Sequence, residues 1–151
     1  VNHDKRDSYR LRYNYAMSSM DAALGRAQLA RLGEFVRRRR AIAKKYLRGL
    51  RNLRGVAGLP DKKQFESGHV FFRFCIRVKK TVKYLAPKFR QMGIEVKEPV
   101  FRPIHRYLKL PRSRYPGCES FSGRVLSLPI YPSLTDAEVK RITCACEELL
   151  G

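Results

Sequence analysis

The 151 residues contain no tryptophan, only three histidines and only 13 acidic residues. His3, His69 and His105 offer little for hydrolytic or nucleophilic chemistry, which needs a base beside its nucleophile. His3 falls in a charged leading segment and His69 opens a strand pattern, where it reads as an ordinary polar strand end. No stretch has the Gly-rich spacing of a P-loop or of a dinucleotide-binding turn. No carboxylate pair flanks an aromatic platform, which argues against glycoside hydrolysis. The four cysteines, Cys75, Cys118, Cys144 and Cys146, never fall at C-x-x-C spacing, so neither a zinc site nor a dithiol redox motif is expected. Cys144 and Cys146 lie two apart on a helical pattern and their side chains diverge; reduced, mostly buried thiols are the expectation. No run approaches the roughly 18 to 20 apolar residues of a membrane helix, and the N-terminus carries no apolar signal core. The reading is a soluble, cytoplasmic protein with no membrane partner.

Lysine and arginine number 33, giving a net charge of +20. Such a field attracts nucleic acids, anionic membrane surfaces and phosphorylated small molecules alike, so it sets a partner class without choosing within it. The run Arg37–Arg40 offers guanidinium groups to phosphates, but a helix sends four consecutive residues to different sides. A solvated helix face is the stronger reading of that run, with nucleic-acid binding as the alternative.

A chain of this length that is 44% hydrophobic supports one packed domain. Residues 1–17 read as an arm, polar and charged over 1–12, and residues 18–151 as the domain. Ser18 with Asp21 approximates a capping box, and Met20, Ala23, Leu24, Ala27 and Leu32 follow at helical spacing. Gly33 is expected to break this helix from a second one, whose apolar face runs from Phe35 through Ile42, Tyr46 and Leu50 to Leu53. Gly55 to Gly68 reads as a loop. Residues from Val70 to Val78 alternate as a strand with one buried face. Thr81 caps a helix that carries Pro87 and ends at Gly93, and Ile94 to Val100 reads as a short strand. His105 is expected in a loop, and Tyr115 to Pro132 is expected to be mostly irregular with a turn of helix near Ser120. Thr135 with Glu138 makes a capping box for a last helix. Helices ahead of a few strands, with a helix at the end, describe an α+β fold, a small α/β layer with helices on one face of a short antiparallel sheet.

Three pieces, YNYAMSSMDAALGRAQLARLGEFVRRRRAIAKKY from Tyr13, PVFRPIHRY from Pro99 and VLSLPIYPSLTDAEVKRI from Val125, together resemble the C-terminal part of the DegT/DnrJ/StrS family of pyridoxal-phosphate-dependent sugar aminotransferases. The resemblance implies the small domain of a type I aminotransferase fold, with a large domain preceding Val1. It implies a homodimer with active sites at the subunit interface, and amino transfer from a donor such as glutamate to a keto carbon of a nucleotide-linked sugar. Asn14 matches the family's asparagine that reaches across the dimer to the cofactor phosphate. His105 matches a histidine close to the sugar, and Tyr15 is a second substrate contact. The lysine that carries pyridoxal phosphate covalently has no counterpart here, and Lys5 in its charged segment does not replace it; the chain alone is therefore expected to be inactive and to hold no covalent cofactor. Ala16 stands where the family commonly has arginine and Phe101 where it often has tyrosine, removing a charge and a hydrogen bond from the expected site. Two other readings come from the charge and the helices: a basic module that binds nucleic acid or another anionic polymer, and a structural dimerisation module.

Overall fold

A computed structural model describes residues 15–100 and 102–151. These fall into two compact units, one ending at Leu32 and the other spanning Gly33–Gly151. The first contains helix α1 (Ser19–Ala30). Ser18 caps it as expected: its hydroxyl accepts the Asp21 N–H at 3.1 Å and donates to the Asp21 carboxylate at 2.6 Å. None of its residues is buried, and Met20, Leu24 and Leu29 are all exposed. The helix ends at Arg31 rather than at Gly33. Arg31 has φ −100° and ψ 0°, and its N–H turns back to the Gln28 carbonyl at 3.1 Å. Gly33 needs no special conformation and continues as helix in α2 (Leu32–Leu50).

The second unit is α+β. Its sheet has three strands, β1 (Val56–Gly58), β2 (Phe74–Val78) and β3 (Val125–Leu128), in the order β1-β2-β3 and antiparallel throughout. Phe74, Ile76 and Val78 point to the buried face of the central strand, while Cys75 and Arg77 point to the other. Their register against β3 pairs Phe74 with Leu128 and Ile76 with Leu126, so the buried side chains of both strands meet on one face. That face is covered by α2, by α4 (Val82–Gln91) and by α7 (Asp136–Leu150), which contribute Ile42, Tyr46, Leu85, Phe89, Val139 and Ile142 to the core. Tyr46 is fully buried, which its hydroxyl tolerates because it donates to the Pro129 carbonyl at 2.7 Å. The capping box at α7 is complete, with Thr135 Oγ1 accepting the Glu138 N–H and the Glu138 carboxylate accepting the Thr135 N–H. Among the described residues no helix is long and apolar enough to cross a membrane.

Several elements differ from expectation, each for a local reason. The strand expected from Val70 begins only at Phe74. Phe71 takes a left-handed φ of +50°, its N–H is donated to His69 Nδ1 at 2.9 Å, and the carbonyls of Phe71 and Phe72 both accept from Arg39. These groups are thereby lost to the ladder, and the alternation slips by one: Phe71 is buried while Phe72 is 71% exposed. In Ile94–Val100 only Lys97 forms a bridge, and it pairs with Ser127 of β3 because β3 occupies the place beside β2. The presumed loop from Gly55 to Gly68 holds β1 and a short helix α3 (Lys62–Glu66). The turn of helix expected near Ser120 is present as α6 (Pro116–Phe121), but the segment expected to be otherwise irregular also holds strand β3, and His105 lies on the one-turn helix α5 (Ile104–Tyr107) rather than in a loop.

Candidate functional site

Of the residues singled out by sequence, Asn14 lies outside the described residues. Phe101, one of the two departures noted above, does as well. Tyr15 is described in the unit that ends at Leu32 and is 83% exposed. His105 is in the second unit, where it is 6% exposed and part of a charged cluster. The structure describes each in its own unit.

The local sequence explains how His105 is held. Pro103 enters α5 in the extended conformation its ring favours, with φ −60° and ψ 143°, and its carbonyl accepts the Arg106 N–H at 3.0 Å. After the single turn, Lys109 adopts φ +53° and the chain folds back so that Leu110 N–H reaches the His105 carbonyl at 2.9 Å. A 3-10 turn, Arg112–Arg114, then leads into α6, which begins with Pro116 at its first position. This return brings Glu119 against α5.

Glu119 is the centre of the cluster. Arg106 grips it with two parallel bonds, Nε to Oε1 at 2.8 Å and Nη2 to Oε2 at 2.6 Å. His105 Nε2 lies 2.6 Å from Oε1. The Tyr115 ring stacks on the imidazole at 4.6 Å between centroids and 21° between planes. Hydrogen bonds from Arg106 and then from His105 hold the Glu119 carboxyl down at about 2, well below its usual 4.5. No buried polar side-chain atom of the described residues lacks a partner, yet His105 Nδ1 makes no hydrogen bond among them. That nitrogen therefore keeps an opening to solvent on a residue that is otherwise enclosed. Next to this cluster, a mostly apolar pocket of about 240 Å³ is lined by Pro99, Pro103, Cys118 and Phe121. A larger groove of about 690 Å³ crosses the uncovered face of the sheet, past Phe72, Arg73 and Arg77, and shares the Phe121 wall.

Sequence reasoning missed Glu119, Arg106 and Tyr115 as partners of His105. One signal was available: Glu119 is the only acid between Glu98 and Asp136, in a stretch rich in arginine. The basic run on α2 is also not a solvated face. Arg38 donates to Asp136 at 2.7 Å and to the Leu134 carbonyl, Arg39 Nη1 donates to the carbonyls of Phe71, Phe72 and Ile130, and Arg40 donates to the Phe65 carbonyl at 2.6 Å. Three of the four guanidinium groups thus tie loops to the helix. Arg37 alone of the four is exposed.

Residues 2–147 match the model of the DegT/DnrJ/EryC1/StrS aminotransferase family. The chain belongs to this family. It is similar to the dTDP-4-dehydro-2,3,6-trideoxy-D-glucose 4-aminotransferase of Saccharopolyspora spinosa, with 36% identity over 83% of this chain and 32% of that protein. It is also similar to the GDP-perosamine synthase of Caulobacter vibrioides, with 28% identity over 91% of this chain and 38% of that protein. Among solved structures, S. venezuelae DesV in complex with a ketimine intermediate superposes with a TM-score of 0.76 at 30% identity, over 91% of this chain and 40% of that one. The chain thus spans about a third of the length of the curated relatives it matches. The α+β fold is that of the corresponding region of these aminotransferases.

Enzymes of this family use pyridoxal phosphate, which is captured by a lysine sheltered from water. Of the lysines whose side chains are described, none is buried, and Lys45 is paired with Asp136 at 2.5 Å. The described residues do not by themselves fit that group.

Proposed function

We propose that this chain forms the sugar-side wall of a pyridoxal-phosphate-dependent nucleotide-sugar aminotransferase, which moves an amino group from a donor such as glutamate to a keto carbon of the sugar. The observation that carries the reading is the state of His105: one ring nitrogen is bound to Glu119, and the other makes no hydrogen bond among the described residues. A histidine serving only as packing has no use for an open nitrogen, whereas a sugar hydroxyl placed there gains a hydrogen bond. The adjoining apolar pocket suits the carbon skeleton of a deoxygenated sugar. Tyr15 is proposed as a second contact with the substrate, and Asn14 as a donor to the cofactor phosphate from the partner subunit of a homodimer. The identity with an aminotransferase of a dTDP-linked sugar supports a nucleotide-linked substrate. The 151 residues alone are proposed to be inactive.

The test uses a protein that contains this chain together with the cofactor-bearing region, given pyridoxal phosphate, glutamate and a nucleotide-linked 4-keto sugar. An aminated nucleotide sugar is expected by mass spectrometry. His105→Ala should raise KM for the sugar by about tenfold, the equivalent of one hydrogen bond of ~1.4 kcal/mol, and Asn14→Ala should weaken cofactor retention. Amination by neither glutamate nor another amino donor would overturn the reading.

A further inference from the structure

We propose that Glu119 is a positioning residue: it fixes the His105 ring with its hydrogen on Nε2 and so presents Nδ1 as an acceptor for a hydroxyl or N–H group of the substrate. This rests on the reading of His105 as a substrate contact.

The argument is one of hydrogen-bond inventory. Arg106 carries its charge at every accessible pH and donates to both oxygens of Glu119, which keeps the carboxyl ionised and leaves it able only to accept. His105 Nε2 at 2.6 Å from Oε1 must then be the donor. A neutral imidazole has one N–H, so once Nε2 carries it, Nδ1 is left with a lone pair. Rotating the ring by half a turn would set a C–H against the carboxylate, and the stacked Tyr115 together with the near-complete burial of His105 oppose that movement. The arrangement works like the carboxylate that orients a catalytic or metal-bound histidine, in which the bond at one nitrogen decides what the other presents.

The consequence concerns specificity. A lone pair at Nδ1 accepts from a sugar hydroxyl or an amine and repels the oxygens of a phosphate or carboxylate. The cluster therefore reads the sugar part of a nucleotide sugar and not its diphosphate. The charged and titratable groups facing the pair are Arg106 on α5, Arg112 in the 3-10 turn, Tyr115, Cys118 on α6, and Glu98, so the cations that draw Glu119 toward ionisation come from two separate elements.

The test is ring-nitrogen NMR of His105 in the ¹⁵N-labelled 151-residue chain at about pH 8, where an ordinary imidazole is neutral. The wild-type spectrum should show a protonated Nε2 and a pyridine-like Nδ1. Glu119→Ala should bring in the Nδ1–H form and average the two nitrogens, and Glu119→Gln, whose amide oxygen still accepts, should restore much of the wild-type pattern. A protonated Nδ1 in the wild type overturns the proposal, as does an unchanged spectrum in folded Glu119→Ala. Should Glu119→Ala fail to fold, the wild-type spectrum decides. In the competent enzyme, Glu119→Ala should raise KM for the nucleotide sugar about tenfold while kcat stays within about twofold. Absence of any amino transfer would count against the enzymatic reading, whereas the tautomer is measured without substrate, so the two failures are distinguishable.

Discussion

At the scale of single residues, ionisation separates groups that the sequence treats alike. Glu119, Asp136 and Glu138 all have carboxyls held below their usual range, Glu119 by Arg106 and His105, Asp136 by Lys45 and Arg38, and Glu138 by the backbone and side chain of Thr135. A carboxyl depressed in the folded state stabilises above its unfolded pKa and loses that contribution as pH falls through the folded value. Folding stability should therefore decline from about pH 4.5 toward pH 2, and the difference curve between wild type and Glu119→Gln isolates the Glu119 share within that window. Urea unfolding at stepped pH measures it, and parallel curves would show that Glu119 is as well solvated unfolded as folded. The thiols divide in the same way. Only Cys146 is buried, with its thiol pushed up to about 12 by desolvation, while Cys75 is half-buried and Cys118 and Cys144 are exposed. The expectation of mostly buried thiols fails because helix α7 turns residues two apart to opposite sides, and because α6 lies at the surface. A thiol reagent at neutral pH should modify Cys118 and Cys144 rapidly, and Cys146 only after unfolding; prompt reaction at Cys146, read by mass spectrometry, would contradict the packing.

At the scale of elements, legibility followed the range of the interactions that set each element. Helices α2, α4 and α7 were readable because their caps and apolar stripes are local: Thr81 and Thr135 sit where they act. Strands β1 and β3 and the start of β2 were not. Their limits depend on partners far along the chain, such as Arg39 taking the carbonyls of Phe71 and Phe72, and periodicity over three to five residues has no means of showing this. The candidate site was half legible for the same reason. His105 stood out through its neighbours in PVFRPIHRY, whereas Glu119 reaches it only after the chain returns through α6. The contact between α2 and α7 is another feature of tertiary origin. A Cβ built on Gly49 would fall 2.3 Å from Thr143 Cγ2, and Thr143 is held in place by its own hydroxyl bond to the Val139 carbonyl at 2.9 Å. Alanine normally improves a helix by about 1 kcal/mol over glycine. Here overpacking should win, so Gly49→Ala is expected to destabilise by about 1–3 kcal/mol. Thr143→Ser removes the offending methyl and keeps the hydroxyl, so the double variant should recover most of the loss. A stabilising Gly49→Ala in denaturant unfolding would show that the two helices have room to move apart.

At the scale of the whole molecule, the excess of 33 basic over 13 acidic residues is not matched by pairing. Some of the acids are shared between cations, as Asp136 is by Arg38 and Lys45, and they still leave a net charge of +20. Salt acts on this in two opposite directions: it weakens the exposed ion pairs and it screens the repulsion among unpaired cations. Exposed pairs contribute little even at low salt, while repulsion runs over many more pairs and reaches about 30 Å at 0.01 M salt against about 8 Å at 0.15 M. Screening should dominate. Raising sodium chloride from about 0.02 to 0.3 M is therefore expected to raise the melting temperature by several degrees, with each kcal/mol worth about 2–4 °C in a chain of this size, and to level off once the Debye length falls below the spacing of surface charges. A fall in melting temperature would mean that the ion pairs act as a network. The same reasoning bears on anionic polymers. With Arg38, Arg39 and Arg40 committed to carbonyls or to Asp136, attraction to nucleic acid would come from dispersed charge and disappear over the same salt range. Binding that outlasts that range would require a built groove.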